Sequence, residues 1–286
     1  MYPRPTVDKP TVRGRTRRGA AEGLGSEHTM LFGVPVVRPS RPSPSVPDEG
    51  TAMATARPTG NLLLDALDEG DRTRLMQGSS HLSIEIGKRY AMPDDVIDNV
   101  YFPTGGTLSL LATPELEQRV EAGTIGREGA ADIFAAQGSR LAVHELIGQV
   151  PGEMIAIDAD VVGREAGTPG RFQDLVHGYI QAFFSQAAYS AACNALHQSD
   201  QRAARWLLMT HDRVDSDDFE LRHEFLAVML GVQRPTVTLA AGALKHAGLI
   251  DYHRGLVTIL DREGLEDAAC PCYEQVRLAY SRLVQL

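Results

Sequence analysis

The sequence predicts an α+β fold in which an antiparallel, jelly-roll-like β-roll is followed by a long helix and a C-terminal winged helix-turn-helix. Three observations predict it. Short apolar runs separated by Pro and Gly extend from residue 82 to residue 162, a rhythm typical of antiparallel strands. A helical apolar period replaces them after Gly170. Residues 223–242 then follow the pattern of two helices joined by a tight turn.

The first 58 residues differ in composition from the rest of the chain. They hold nine of the sixteen prolines and nine Lys and Arg against five Asp and Glu, whereas the remainder has nineteen basic and thirty-two acidic residues. Such a composition favours disorder, so residues 1–58 are expected to form a disordered basic Pro/Arg-rich tail. Two interpretations stay open: a dispensable segment, with Met53 as an alternative start, or a basic arm that helps to hold DNA.

Residues 61–168 are predicted to form the β-roll. A short amphipathic helix is expected to open it, because leucines recur at helical spacing between residues 62 and 75. The runs 100–102, 107–111 and 154–157 are the clearest predicted strands.

Residues 169–197 are predicted to form one helix of about 25 residues that ends near Leu196. Two interpretations of this helix stay open. It packs only on its own domain, or, as we favour, its apolar stripe meets the same stripe of a second copy in a two-fold dimer. The stripe consists of Phe172, Val176, Tyr179, Phe183 and Ala187, with Leu175, Ile180, Phe184 and Ala191 beside it.

Residues 198–286 are expected to form a winged helix-turn-helix with a C-terminal helix. Ala227 is small where the two helices would cross, and Gly231 occupies the turn, where the backbone needs a positive φ. Pro235 is acceptable in the first turn of a helix, which places the start of the second helix near Gln233. The apolar contacts between the helices are assigned to Leu226, Leu230, Val232 and Val237.

The second helix is predicted to enter the major groove of DNA. Residues 248–259 are predicted to form two strands about an Arg-Gly turn, which is a wing with Arg254 at its tip. Between residues 231 and 254 three basic residues face a single acidic one, so a positive surface survives in an acidic protein. Arg234 is the best candidate for a bidentate guanine contact. The predicted DNA contacts are Gln233, Arg234, Thr236, Thr238, Lys245 and Arg254.

Residues 61–280 resemble the Crp/Fnr family of transcription regulators. The resemblance implies a cyclic-nucleotide-binding-like sensor roll, a dimerisation helix and a homodimer that binds a palindromic operator under the control of an effector, with RNA polymerase as a partner. Arg234 occupies the family's guanine-reading position, and Pro235 replaces the acidic residue that often follows it. The motifs are Val100-Tyr101-Phe102-Pro103, Gly105-Gly106-Thr107-Leu108-Ser109, Ile125-Gly126-Arg127-Glu128-Gly129, Gln149-Val150-Pro151-Gly152-Glu153 and Gln201-Arg202-Ala203-Ala204-Arg205-Trp206-Leu207-Leu208, together with the helix-turn-helix.

The resemblance also suggests an effector site. In relatives that bind cyclic AMP, a Gly-Glu pair is followed by Arg-Ser-Ala or Arg-Thr-Ala, which supply a ribose carboxylate and a phosphate arginine. Glu128 is the candidate carboxylate and Arg140 the candidate arginine, although Arg140-Leu141-Ala142 lacks the hydroxyl residue. Three possibilities remain open for the effector: a cyclic nucleotide, another small molecule, or no effector at all.

Three cysteines are too few for a secreted disulfide framework, so a cytoplasmic location is expected. They are also fewer than the four thiolates that usually hold an iron–sulfur cluster. Cys193 is interpreted as a small buried apolar residue. Cys270-Pro271-Cys272 is interpreted as a redox pair, a metal corner or two unpaired thiols. The histidines lack metal-ligand spacing, and no metal site is expected.

Several function classes are disfavoured. The sequence has no nucleophile elbow, phosphate loop or dinucleotide turn, which argues against an enzyme. It has no apolar stretch of the roughly 18 to 20 residues that a membrane span needs, and its N-terminus does not resemble a signal peptide. The net charge of −9 motivates one alternative: a ligand-sensing or protein-interaction module that has lost specific DNA binding.

Overall fold

The computed structural model describes residues 58–115 and 118–283; the predicted tail, apart from Pro58, lies outside the described residues. The strands of this part are β1 (Ser80–Ile84), β2 (Arg89–Ala91), β3 (Asn99–Pro103), β4 (Thr107–Glu115), β5 (Gln118–Ile125), β6 (Glu145–Val150), β7 (Gly152–Asp158), β8 (Asp218–Glu220), β9 (Ile250–His253) and β10 (Leu256–Ile259). The helices are α1 (Leu62–Asp65), α2 (Glu69–Leu75), α3 (Ala159–Ala166), α4 (Arg171–Leu196), α5 (Ser199–His211), α6 (His223–Leu230), α7 (Arg234–His246), α8 (Arg262–Ala268) and α9 (Cys272–Leu283), with a short 3₁₀ helix at Ile133–Gln137.

The β-roll is built from two antiparallel sheets, with strand orders β1-β7-β3 and β2-β6-β4-β5. In the first sheet Phe102 pairs with Ile155, and in the second Leu110 pairs with Leu146. All four side chains are buried in one apolar core. The α+β fold with an antiparallel roll, a long helix and a C-terminal winged helix-turn-helix is therefore confirmed.

Short helices account for the departures from the sequence prediction. The single opening helix is in fact two, because Asp68 accepts a hydrogen bond from the Asp71 amide and caps a new helix after α1. Helix α3 follows β7 directly, in a region where the sequence predicts strands. Its N-cap, Asp158, accepts from two backbone amides. Capping residues thus divide the chain where apolar periodicity alone gives no boundary.

Helix α4 packs against its own roll through the stripe that was expected to meet a second copy. Tyr179 and Phe183 are almost fully buried. A Cβ atom at Gly129 would lie 2.1 Å from Tyr179, and one at Gly123 would lie 2.8 Å from Phe183, so both aromatic rings need glycine opposite them. The predicted self-complementary stripe is therefore wrong for its central residues, since the roll of the same chain already covers them, whereas Phe184 and Ala191 from its edge are exposed.

The face of α4 that is turned away from the roll is exposed. Its exposed residues recur at alternating intervals of four and three, the spacing of a coiled-coil seam. Phe184 is 73% exposed, and small alanines follow it towards the end of the helix. We call this set the heptad face; it consists of His177, Gln181, Phe184, Ala188, Ala191 and Ala195.

A second apolar core holds the C-terminal part together. Trp206 of α5 lies in this core with buried residues of α6, α7 and the sheet β8-β10-β9. Strand β8 is a third strand that the sequence did not predict. Across the described ranges, no single helix is long and apolar enough to cross a membrane.

A buried carboxyl group lies where the roll meets α5. Both oxygens of Glu121 have hydroxyl partners: Ser109 Oγ at 2.7 Å and Thr124 Oγ1 at 2.9 Å. Burial raises the pKa of Glu121, against the opposing effects of these hydrogen bonds and of the Arg205 and Arg213 charges. Relative to the unfolded chain, folding therefore favours the protonated form of this carboxyl group.

This pKa shift predicts the pH dependence of stability. Because the pKa is higher in the folded state, stability declines as the pH rises from the unfolded value of about 4.3 through the folded value. Glu121→Gln keeps an acceptor for Thr124 and cannot ionise. Its amide would donate to Ser109 Oγ, whose own proton goes to Gln149 Oε1. We expect the variant to melt a few degrees above the parent at pH 7, with the gap closing as the pH falls towards about 4.

Thermal unfolding followed by circular dichroism across this pH range checks the prediction. Glu153→Gln, which removes an exposed carboxylate from β7, is the matched control. A Glu121→Gln variant that is less stable than the parent at pH 7 would show that the ionised carboxylate is favourable where it lies.

Candidate nucleic-acid interface

Helices α6 and α7 meet at 101°, within the range of a helix-turn-helix. Gly231 ends α6 with φ +60°, and the Val232 amide donates to the Ala227 carbonyl at 3.0 Å. A Cβ atom at Gly231 would lie 3.0 Å from Val120 of β5. The glycine is thus required by the left-handed turn and by the closeness of the roll, as the sequence predicted for the turn.

Helix α7 begins where Pro235 predicts. Gln233 is its N-cap, and Pro235 lies in its first turn. Val237, Ala240 and Leu244 are buried and fix the helix on the second core. This anchoring leaves the side of the first turns open: the predicted contacts Gln233, Arg234 and Thr238 are exposed, while Thr236 is half-buried.

Arg234 has one charged partner near it. Its Nη2 lies 2.8 Å from Glu224 Oε1, and both side chains are more than half exposed. An exposed ion pair contributes only about 0 to 1 kcal/mol. The guanidinium can therefore exchange Glu224 for a guanine edge at little cost.

Thr238 is less available than its exposure suggests. Its hydroxyl donates to the Arg234 carbonyl at 3.1 Å and lies 3.4 Å from Nδ1 of His223. The His223 ring in turn stacks on Tyr252 of the wing, with ring centroids 4.6 Å apart. Thr238 thus lies at the junction of both helices with the wing.

The wing forms a two-residue hairpin. His253 pairs with Leu256, and Arg254 and Gly255 between them have φ values of +49° and +84°, as the commonest tight hairpin turn requires. Arg254 lies at the exposed tip, and none of the ion pairs among the described residues includes it. The structure therefore leaves its charge available.

Lys245 connects α7 to the wing. Its Nζ lies 2.6 Å from Asp251 Oδ1 and donates to the Tyr252 carbonyl at 3.2 Å. The hydrogen bond from Lys245 lowers the pKa of Asp251. Lys245, which was predicted to contact DNA, thus forms an ion pair with Asp251 of its own chain, and this contact orients the wing.

Leu239 is the residue of this surface that the sequence analysis missed. It is 75% exposed, and it lies beside Thr238 on the open side of α7. Helical periodicity could have found it, because Val237, Ala240 and Leu244 define a buried face that excludes it. An exposed leucine beside polar readers is suited to the methyl group of thymine.

The two candidate effector residues lie in different environments. Glu128 Oε1 is 2.8 Å from Arg213 Nη2 and accepts from the Gly126 amide at 3.1 Å. Arg140 donates to the Ile97 carbonyl at 2.8 Å and pairs with Asp160. Glu128 lines a cavity of about 340 Å³ at the base of α9 to which Arg140 does not contribute. The structure does not bring the two residues into one pocket.

Cys270 and Cys272, which the sequence analysis treated as a pair, lie together with Cys193 and His197. Cys193, His197, Cys270 and Cys272 each offer a ligand atom, and these atoms all lie within 4.8 Å of one another. The sequence predicts no metal site and shows no metal-ligand spacing among the histidines, yet His197 lies in this cluster. The signal was the interval of four between Cys193 and His197, which places both on one side of a helix end.

Comparisons with known proteins agree with this geometry. Residues 201–268 match the family model described as the Crp-like helix-turn-helix domain. Among solved structures, FixK2 from Bradyrhizobium japonicum matches with a TM-score of 0.58 and 13% identity over 67% of this chain and 98% of that one. CLP, a c-di-GMP responsive global regulator from Xanthomonas campestris, matches with a TM-score of 0.53 and 16% identity over 67% of this chain and 99% of that one. A Crp/Fnr-family regulator from Thermus thermophilus matches with a TM-score of 0.53 and 18% identity over 66% of this chain and 98% of that one.

No curated protein sequence matches the chain, and identities this low establish the shared fold alone. Together, the bent helix pair, the wing and the family match define a DNA-binding transcription regulator with a winged helix. Residues 201–268 form a Crp-like helix-turn-helix domain, and the fold is that of solved Crp/Fnr regulators, in agreement with the resemblance seen in the sequence motifs.

Two glycines of the helix-turn-helix should respond in opposite directions to alanine. Gly231→Ala forces a side chain into the left-handed turn and against Val120, so we expect a loss of about 1 kcal/mol in the free energy of unfolding. Gly242→Ala, inside α7 with nothing within 4 Å of the new Cβ, should gain about 0.5 to 1 kcal/mol from helix propensity. Urea denaturation measures both; equal effects would contradict the role given to the turn.

Proposed function

We propose that this regulator binds a palindromic operator as a homodimer and reads it with α7 and the wing. The observation that carries the proposal is the open side of the first turns of α7, where Gln233, Arg234 and Leu239 are exposed, together with the exposed tip of the wing at Arg254. In this scheme residues 61–168 are the sensor, 169–197 the dimerisation segment and 198–286 the DNA-binding domain.

The heptad face of α4 supports the dimer. Its spacing of four and three keeps one seam between two helices that supercoil slightly around each other, and alanines allow the two backbones to approach closely. Phe184 is the largest apolar side chain of the seam and is 73% exposed in the single chain. A two-fold axis beside α4 would bury it against its own copy.

The dimer predicts a selective effect of charge on this face. Phe184→Glu should place two like charges at the seam and convert the dimer to monomers, measured by sedimentation equilibrium. Leu82→Glu adds the same charge at an exposed leucine of β1 and should leave the dimer intact. A Phe184→Glu protein that stays dimeric would place the interface elsewhere.

In the proposed readout, different side chains make different kinds of contact with DNA. Arg234 donates two hydrogen bonds to a guanine, and Leu239 contacts a thymine methyl group. Gln233, Thr236 and Thr238 supply polar contacts to bases or phosphates, and Arg254 neutralises a phosphate beside the adjoining groove. Lys245 contributes indirectly, because its contacts with Asp251 and Tyr252 set the position of the wing.

Selection of genomic fragments by the purified chain tests the function. We expect a two-fold symmetric motif to be enriched, and Arg234→Ala to cost about 1 to 3 kcal/mol per half-site and to relax preference at one base pair. Leu239→Ala should weaken a thymine position instead. Affinity should fall steeply with rising salt, because binding releases counterions from DNA.

Arg164→Ala is the matched control, since Arg164 is an exposed arginine of α3 on the sensor. It should leave both the motif and the dimer unchanged. Unchanged base preference in Arg234→Ala would overturn the assignment of the reading residue. Failure to enrich any motif would favour a ligand-sensing or protein-interaction module without specific DNA binding.

The effector is proposed to act without the pair Glu128 and Arg140. Both side chains are engaged by partners from their own chain, and Tyr179 and Phe183 of α4 fill the space beside β5 and Gly129. A cyclic nucleotide held by these two residues would have to displace the buried pair of Glu128 with Arg213 and the exposed pair of Arg140 with Asp160. We propose RNA polymerase as the protein partner and the cytoplasm as the location.

A further inference from the structure

We propose that Cys193, His197, Cys270 and Cys272 form a tetrahedral site for a thiolate-preferring divalent cation of the zinc class. We call these four residues the Cys3His cluster. Their ligand atoms lie within 4.8 Å of one another, and the three cysteines are buried. Three thiolates and one imidazole form a closed ligand set that is typical of structural zinc sites.

The cluster is built from two separate helix ends. Cys193 lies in the last turn of α4 and His197 caps that helix, with its amide bonded to the Cys193 carbonyl at 3.1 Å. Cys270 lies between α8 and α9, and Cys272 is the first residue of α9. The Cys270 amide donates to the Gln201 carbonyl at 3.4 Å, which holds this segment beside the start of α5.

The distances suit one small cation. A tetrahedral Zn²⁺ with bonds of about 2.3 Å to sulfur and about 2.05 Å to nitrogen requires sulfur–sulfur separations of about 3.8 Å and sulfur–nitrogen separations of about 3.6 Å. The Sγ atoms of Cys193 and Cys270 are 3.3 Å apart, and Cys272 Sγ lies 3.6 Å from His197 Nδ1. Small side-chain rotations therefore complete the tetrahedron.

Other uses of the cysteines fit less well. All three are free thiols, and a disulfide between Cys193 and Cys270 would leave Cys272 and His197 beside it without a role. A four-iron cluster binds each ligand to a different iron, which would require the sulfur atoms to move well apart. A single cation uses all four groups where they lie.

The charges around the cluster provide an independent observation. Arg202 and Arg205 are buried next to it, yet the acceptors of their hydrogen bonds are the neutral groups of Asn194, Leu230, Met209 and Ser190. Within the described residues neither guanidinium has a carboxylate in ion-pair distance, and the Nε atoms of both have no partner. Buried cations are costly without a counter-charge.

Metal-bound thiolates would supply that counter-charge. Three thiolates around a divalent cation leave a net charge of −1, which the two guanidinium groups can stabilise from outside the ligand set. The amide dipoles of the first turn of α9 also favour a metal-bound thiolate at Cys272, the first residue of that helix.

Titration of the untagged full chain with Co²⁺ and then Zn²⁺ under reducing conditions, after chelation, tests the site. We expect one Co²⁺ per chain, with thiolate charge-transfer bands and the visible spectrum of a tetrahedral ion, and complete displacement by Zn²⁺. Zn²⁺ should also raise the melting temperature, because the metal joins α4 to α9 only in the folded chain.

Variants separate this site from adventitious binding. Cys193→Ser should abolish the charge-transfer bands and the thermal shift, and His197→Ala should weaken Zn²⁺ binding by more than the about 10- to 100-fold that loss of an outer partner causes. His81→Ala, at an exposed histidine of β1, should change neither. His197→Ala retains all cysteines and decides the matter if the serine variant does not fold.

Two results would overturn the proposal. One is a reduced parent chain that binds no Co²⁺ or Zn²⁺. The other is a Cys193–Cys270 disulfide that forms in air, with no metal binding after its reduction. Neither depends on operator binding, so failure of the metal site and failure of the proposed regulator are distinguishable.

Discussion

The packing of α4 on the roll is the constraint on which the other features depend. Tyr179 and Phe183 reach the strands only because Gly129 and Gly123 leave room for their rings. This contact fixes the rotation of a 26-residue helix about its axis. The heptad face is therefore turned outward, the interior of the roll beside α4 is filled, and the last turn of α4 is directed towards α9.

A buried ion pair continues the same constraint into the C-terminal part. Arg213, just after α5, is almost fully buried and pairs with Glu128 of the roll at 2.8 Å. Its guanidinium lies 6.0 Å from the ring centre of Tyr280 in α9, and burial raises the pKa of that tyrosine well above its usual range. Removing either charged partner would leave the other buried without a counter-charge. The residue that resembles a ribose ligand thus joins the two parts of the chain.

The sequence predicted local features well and contacts between distant segments poorly. Gly231, Pro235 and the Arg254–Gly255 turn are dictated by backbone geometry that each residue imposes by itself, and all three lie where they were placed. Which face of α4 remains exposed depends on glycines some fifty residues earlier, and apolar periodicity cannot distinguish a partner strand from a partner chain. The Cys3His cluster joins residues more than seventy positions apart, so the sequence revealed only the pair Cys270 and Cys272 and did not connect it to Cys193 and His197.

The position of the Cys3His cluster suggests how its state would reach the DNA-binding surface. Arg202 lies beside Cys193, and its guanidinium also donates to the Leu230 carbonyl, the last carbonyl of α6 before the Gly231 turn. A cation at the end of a helix stabilises its unpaired carbonyls and its dipole. A change of charge on the Cys193 sulfur alters how strongly this guanidinium is held on that side, and therefore how firmly it holds the end of α6. Because α7 begins four residues after Leu230, a change at the cluster would reach Arg234 through this shared contact.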